Sequence, residues 1–347
     1  MRIAVDVMGG DHAPDEILKG CIAALADLPQ DDTLVLVGPK DLIADVLADR
    51  GINDKRVEIY HAPDVIAMDD PPALAVRGKP ESSIVKLMRL GSEKSMEVLG
   101  VPRCEVVLSA GNTGACVSAA IMHMKRLSGV HRPGIAVTIP TFHSPAIMID
   151  CGANPEPKAS HLWQYAVMAE QQAKILLGIP HPRVAQMNIG SEEAKGTGII
   201  KQTRDLLKAT PGLNYIGYIE GRELFENAAD IVVTDGFVGN TLLKMAEGLY
   251  KSIFKALAAE IIEYDPNLMT SLDPVIRKMV KKHDYHEHGG APLLGVNGAC
   301  FIAHGSSEAR TIRAAIRNCR SFVAAGVNEA IVRRLEEVAP MAAEMAE

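Results

Sequence analysis

Val106-Val107-Leu108-Ser109-Ala110-Gly111-Asn112-Thr113-Gly114-Ala115 decides how this chain folds, because its plan returns at Ile231-Val232-Val233-Thr234-Asp235-Gly236-Phe237-Val238-Gly239-Asn240-Thr241. Each stretch opens with three aliphatic residues, the mark of a strand buried on both faces. Each then passes through Gly, Asn and Ser or Thr into helical periodicity, over residues 115–125 and from Thr241 onward. A strand that empties into a glycine loop at a helix start aims several backbone N–H groups at one place, a ready seat for an anion. Turn geometry alone also selects Gly and Asn at such connections. Asn112 and Asn240 tip the reading toward a site, since each follows a glycine and can turn its amide into a cleft. Neither loop closes with Gly-Lys-Ser/Thr, and neither is a clean G-x-G-x-x-G. Small phosphate is therefore expected rather than a nucleotide.

Outward from these loops, strand-like and helical runs alternate. Strands are expected at 2–7, 34–37, 57–61, 105–108, 183–189, 215–219 and 231–234, with helices at 15–26, 41–49, 82–90 and 161–177. Residues 135–139 and 146–150 read as a hairpin, so the sheet is mixed though mostly parallel. The alternation predicts a three-layer αβα fold. With 347 residues, 48% hydrophobic and only 4% aromatic, the chain builds its core from Ala, Val, Ile and Leu, and a single α/β catalytic unit over 1–347 is expected. A net charge of −7 argues against nucleic acid as a partner. Cys21, Cys104, Cys116, Cys151, Cys300 and Cys319 form no C-x-x-C pair, which suits reduced core thiols. Met1-Arg2 leads directly into a strand and no apolar run is long enough for a bilayer, so a cytoplasmic protein is expected.

Residues 241–282 break the rhythm. Leu242, Met245, Leu249, Ile253, Leu257 and Ile261 recur on one helical face. Asp265-Pro266-Asn267 and Asp273-Pro274 are expected to turn the chain, with a second helix from Val275. The hairpin, 241–288 in all, needs a cover for its apolar face, most simply its own copy in a homodimer. Leu268 and Met269 mark its tip as a membrane-facing segment. Arg277, Lys278, Lys281 and Lys282 make a basic stripe suited to acidic partners or anionic headgroups, or to a solvated helix end.

Other strand ends carry polar groups. In Met8-Gly9-Gly10-Asp11-His12-Ala13-Pro14, Asp11 either caps the next helix or joins Gly10 in the site, and His12 is placed to meet a phosphate or thioester oxygen. Asn188-Ile189-Gly190-Ser191-Glu192-Glu193-Ala194-Lys195-Gly196 offers Lys195 as a cation at a helix start, where a cation is otherwise disfavoured. His304-Gly305-Ser306-Ser307 follows a further strand, making His304 and Ser306 candidates. No Gly-x-Ser-x-Gly elbow is present, and His283, His286 and His288 read as solvated, so no metal is expected.

Eight segments in order, 8–14, 107–115, 150–154, 188–196, 215–221, 234–240, 290–295 and 304–307, together resemble the bacterial phosphate acyltransferases of phospholipid synthesis. Two departures are local: Pro155-Glu156 stands where Val-Asp is usual, and Ser191 where glutamate is usual. The resemblance implies a fold related to phosphotransacetylase and isopropylmalate dehydrogenase, a homodimer, and loose membrane association. It implies transfer of a fatty acyl group from acyl carrier protein to inorganic phosphate, without cofactor, supplying a membrane acyltransferase downstream. A thioester is already activated, so bound phosphate attacks directly. Lys195 would neutralise phosphate and Asn240 or Asn112 would steady the oxyanion. Gly10, Asp11, Ser109, Gly111, Thr113, Gly114, Asn154, Asp235, Gly236, Gly239, His304 and Ser306 would line the substrates. The rival is a phosphotransacetylase acting on short coenzyme A thioesters, which would not need so long an apolar hairpin.

Overall fold

The computed structural model describes residues 1–141, 144–282 and 289–344. His283, His286 and His288 lie outside the described residues, as do the side chains of Lys281 and Lys282. The chain opens with β1 (Arg2–Asp6), α1 (Asp15–Ala24), β2 (Thr33–Gly38), α2 (Lys40–Asp49) and β3 (Val57–His61). Helices α3 (Pro72–Gly78), α4 (Ser83–Leu90) and α5 (Ser95–Leu99) lead to β4 (Val106–Ser109) and α6 (Thr113–Ala119), which runs on as a π-turn over Ala120–Met124. Next come β5 (Gly134–Ile139), β6 (Ala146–Ile149), α7 (Ala159–Leu176), β7 (Val184–Met187), α8 (Gly198–Ala209), β8 (Tyr215–Ile219) and β9 (Ile231–Val233). The hairpin is α9 (Gly236–Tyr264) with α10 (Pro266–Lys282). The chain then forms β10 (Ala291–Leu294), β11 (Ala299–Ile302), α11 (Ala309–Ala324) and α12 (Val327–Glu344).

The strands make one sheet in the order β3-β2-β1-β4-β11-β10-β5-β6-β9-β7-β8. The first five are mutually parallel, and so are the last four. Between them three antiparallel pairings, β11 with β10, β10 with β5 and β5 with β6, reverse the direction. Carboxyl ends of β4 and β11 therefore reach one edge of the sheet, and those of β6 and β9 the opposite edge. Side chains alternate across it. Ile3, Val5, Val106, Leu108 and Phe301 enter a core shared with α1, α7, α11 and α12. Ala4, Val107, Cys300 and Ile302 enter a second core under α4 and α6, against which Val238, Leu242 and Leu243 of α9 pack. The three-layer fold with a mixed sheet is thus as the sequence predicts, and all six cysteines are buried and free.

Three boundaries differ from expectation. Helix α9 begins at Gly236, not Thr241, because Asp235 caps it by accepting from the N–H groups of Phe237 and Val238. Helix α6 begins at Thr113, capped by Asn112, whose Oδ1 accepts from Ala115 N. Asp273-Pro274 does not turn the chain: α10 starts at Pro266 and runs through Pro274, with Arg277 ion-paired to Asp273 at 2.6 Å across that turn. Asp265 alone makes the corner, accepting from Asn267 N. The sequence reading also left α11 and α12 unassigned; α11 packs on α1 and β11. Among the described residues no helix is long and apolar enough to cross a membrane.

Candidate active site

A cleft of about 530 Å³ lies over the middle of the sheet, where strand direction reverses. One wall is Asn112, Thr113 and Gly114 at the start of α6, with His304 and Gly305 after β11. The other is Cys151 and Gly152 after β6, with Asn240, Leu243, Lys244 and Glu247 of α9. Because α9 starts at the β9 end and runs back across the cleft, Asn240, Lys244 and Glu247 share one helical face over about 10 Å. At the far end Glu247 Oε2 stands 3.6 Å from His304 Nε2. Met68, Ile135, Val137 and Ile302 add apolar surface to the lining.

Two buried carboxylates set the walls. Asp150, fully buried after β6, accepts from the N–H groups of Ile135, Ala153 and Asn154 at 3.0, 3.0 and 2.7 Å. Burial raises its pKa to about 6, and those N–H groups oppose the rise. Gly239 meets it so closely that a β-carbon would fall 2.0 Å from Asp150 O, and a β-carbon on Gly236 would fall 2.8 Å from its Oδ2. Asp6 is the counterpart at the end of β1: burial raises it, opposed by hydrogen bonds that include Ser109 Oγ at 2.7 Å and Met8 N. Each strand end is thus anchored by a carboxylate beneath the loop that it supports.

A family model described as fatty acid synthesis protein matches residues 1–330. The phosphate acyltransferase of Dictyoglomus turgidum is 40% identical over 341 residues, 97% of this chain and 98% of its own. That of Desulfitobacterium hafniense is 42% identical over 338 residues, 96% of this chain and 98% of its own. The chain belongs to this acyltransferase family. Among solved structures, a phosphotransacetylase from Streptococcus pyogenes superposes with a TM-score of 0.61 at 17% identity, covering 93% of this chain and 94% of that one. A branched-chain phosphotransacylase from Enterococcus faecalis V583 gives 0.51 at 15% identity, over 92% and 99%. At these identities the two share the fold, as the resemblance implied.

Of the residues expected in the acyltransferase site, Asp11, Asn112, Thr113, Gly114, Asn240 and His304 line the cleft. Asp11 does not cap α1, whose N-cap is Pro14. Asn112 is not placed as an oxyanion donor: its Nδ2 lies 3.1–3.2 Å from the carbonyls of Ala67, Met68 and Asp70, two protons among three acceptors. It fixes the loop that carries Met68 into the wall. Ser109, Gly111, Asn154, Asp235, Gly236 and Gly239 support rather than line. Asn154 turns inward to Pro133 O and Tyr165 Oη, and Ser109 is buried on Asp6. Gly10, at φ +107°, lies beneath Gly305. Ser306 bonds His304 Nδ1 through both its hydroxyl and its N–H, at 2.8 and 3.2 Å. His12 is exposed and outside the lining. Lys195 is outside it too, paired with Glu192 at 2.7 Å on the loop after β7; β7 neighbours β9, so this loop leaves the edge from which α9 starts. Sequence reading missed Lys244, Glu247 and Asp150. The first two were legible as polar residues four and seven after Asn240, on the same helical face as that residue.

Proposed function

We propose that this cleft joins inorganic phosphate to the acyl group of an acyl carrier protein thioester, releasing thiol and an acyl phosphate. The observation that carries the reading is the polar face of α9, Asn240, Lys244 and Glu247, laid across a cleft whose other wall is the glycine loop of α6. Lys244 supplies positive charge for phosphate. A phosphate oxygen then attacks the thioester carbon, and the oxyanion is steadied by the Asn240 amide, a donor typically worth about 3–4 kcal/mol in a transition state. The C–S electron pair leaves on sulfur. No enzyme nucleophile is needed, which agrees with six buried cysteines, several with thiols pushed up by burial, Cys104 to about 11. The apolar lining suits an aliphatic chain. Lys195, outside the lining and paired with Glu192, would have to leave that pair to serve as a second cation for the site.

The reading extends to assembly. Leu249, Ile253 and Leu257 on α9 are 54%, 53% and 42% exposed, an apolar row that a second copy of this hairpin would cover. Leu268 near the tip, and the basic residues Arg277 and Lys278 further along α10, suit a membrane surface or an acidic carrier protein. Such a location would favour handing a labile acyl phosphate to a membrane acyltransferase. Alanine variants at Asn240, Lys244 and Lys195 test the site, with phosphate-dependent thiol release measured on acyl carrier protein and coenzyme A thioesters. The reading expects Asn240→Ala to lower turnover about a hundredfold or more and Lys244→Ala to raise the phosphate KM. Full activity in both, or a preference for short coenzyme A thioesters, would contradict it.

A further inference from the structure

A second hollow, of about 280 Å³, lies between the last turn of α7 and one face of α12. Helix α7 follows β6 and runs its 18 residues, about 27 Å, back to the loops that open β7 and β8. The hollow therefore sits at the far edge of this half of the sheet from the cleft. Ala330, Arg333, Arg334 and Glu337 line it at helical spacings of three, four and seven, while Ile331, Leu335 and Val338 turn into the core. Glu170 is buried beside it, 1% exposed. It accepts from Lys174 Nζ at 2.8 Å, Gln171 Nε2 at 3.1 Å and Arg334 Nε at 3.1 Å. One buried carboxylate thus fixes two cations that line the hollow. Arg334 also pairs at 3.2 Å with Glu337, an exposed and hence weak partner. Arg333 is exposed in the same hollow and has no ion pair among the described residues. The helix dipole accounts for Lys174, in the last turn of α7, but not for Arg333, in the interior of α12. Lys174, Arg333 and Arg334 together outnumber the carboxylates of Glu170 and Glu337, on a chain whose net charge is −7.

We propose that this hollow is a second anion site, which takes a small oxyanion of two or more charges and fastens α12 to α7. Arg333 and Arg334 offer planar N–H forks and Lys174 a point charge, a set that matches phosphoryl or carboxylate oxygens. Neither Lys174 nor Arg334 spends all its protons on Glu170 and Glu337. Because Glu170 already holds both cations in place, little side-chain ordering is left for the ligand to impose. Charge selects the ligand: a multivalent ion displaces the exposed Glu337 carboxylate from Arg334, whereas a monovalent one only equals it. The hollow is at the small end of ligand sites, which suits a small molecule rather than a protein segment.

Calorimetric titration of the whole protein with pyrophosphate, citrate and acetate, at constant ionic strength, tests the site directly. Pyrophosphate or citrate should bind and raise the melting temperature, as a ligand held only by the folded chain does, and acetate should do neither. The tighter of the first two tells phosphoryl from carboxylate recognition. Arg333→Glu leaves every partner of Glu170 in place, so its melting temperature without anion should match the parent. It should weaken the tighter anion about tenfold or more, as loss of a charge-assisted bond does. Lys244→Ala, in the cleft, should keep this equivalent of bound anion. Failure of both multivalent anions to bind, acetate binding as well as they do, or unchanged affinity in Arg333→Glu overturns the inference. So does binding that vanishes in Lys244→Ala, which would assign it to the cleft.

Discussion

At the scale of single residues, the site is governed by what its carboxylates and amides hold. Asp150 has a folded pKa near 6 against an ordinary 3.8, raised by burial. The folded state therefore binds this proton more tightly than the unfolded chain. The resulting stability is fully present below about pH 4 and is lost as pH rises through 6. Relative to Asp150→Asn, the parent should lose on the order of 2 kcal/mol between pH 4.5 and 7.5, as read by urea unfolding at both pH values. A pH-independent difference would show that the carboxyl is not perturbed. Asn112→Ala removes a helix cap and releases the 67–70 carbonyls, so a loss of about 1–2 kcal/mol is expected, with faster amide exchange at residues 67–70. That Asn112 and Asn240 reach one cleft was legible from the two loops. Their division of labour was not, because an amide that holds three carbonyls from residues 67–70 depends on contacts more than forty positions away.

At the scale of elements, the hairpin is the part whose sequence pattern and structure agree best and whose borders agree least. The apolar row on α9 was visible as a helical period; Leu242 packs on the body of the fold, while Leu249, Ile253 and Leu257 are exposed. Its start was hidden because Gly236 and Gly239 read as loop residues. They lie in the first turn of α9, small because Asp150 and Asn154 leave no room for a β-carbon. Likewise Pro274 read as a stop, yet it sits within α10 beside the Asp273–Arg277 pair. If the row is a subunit contact, Leu249→Glu with Ile253→Glu should convert a dimer to a monomer in sedimentation equilibrium. A parent that is already monomeric would remove that role. Charge reversal at Arg277 and Lys278 should weaken binding to anionic vesicles at low salt, by about 1 kcal/mol per charge removed; unchanged binding would leave the stripe as a solvated face.

At the scale of the molecule, the α/β alternation predicted three layers and a mixed sheet, and both are present. It did not predict that the sheet is two opposed parallel halves, since strand direction is set by crossovers and not by the strands' own residues. The two halves present their carboxyl ends at opposite edges of the sheet. Loops from β4 and β11 meet loops from β6 and β9 only because α9 doubles back across the reversal, bringing Asn240, Lys244 and Glu247 with it. Lys195, read from its own strand end, is not among the residues lining the cleft and pairs with Glu192. The most direct test of the account is trapping of acyl phosphate as hydroxamate from palmitoyl-acyl carrier protein and inorganic phosphate, with a chelator present. Formation that requires phosphate, persists in the chelator and falls about a hundredfold or more in Asn240→Ala is the predicted result. Formation that proceeds unchanged in Asn240→Ala, or that stops on chelation and returns with a divalent cation, would contradict it.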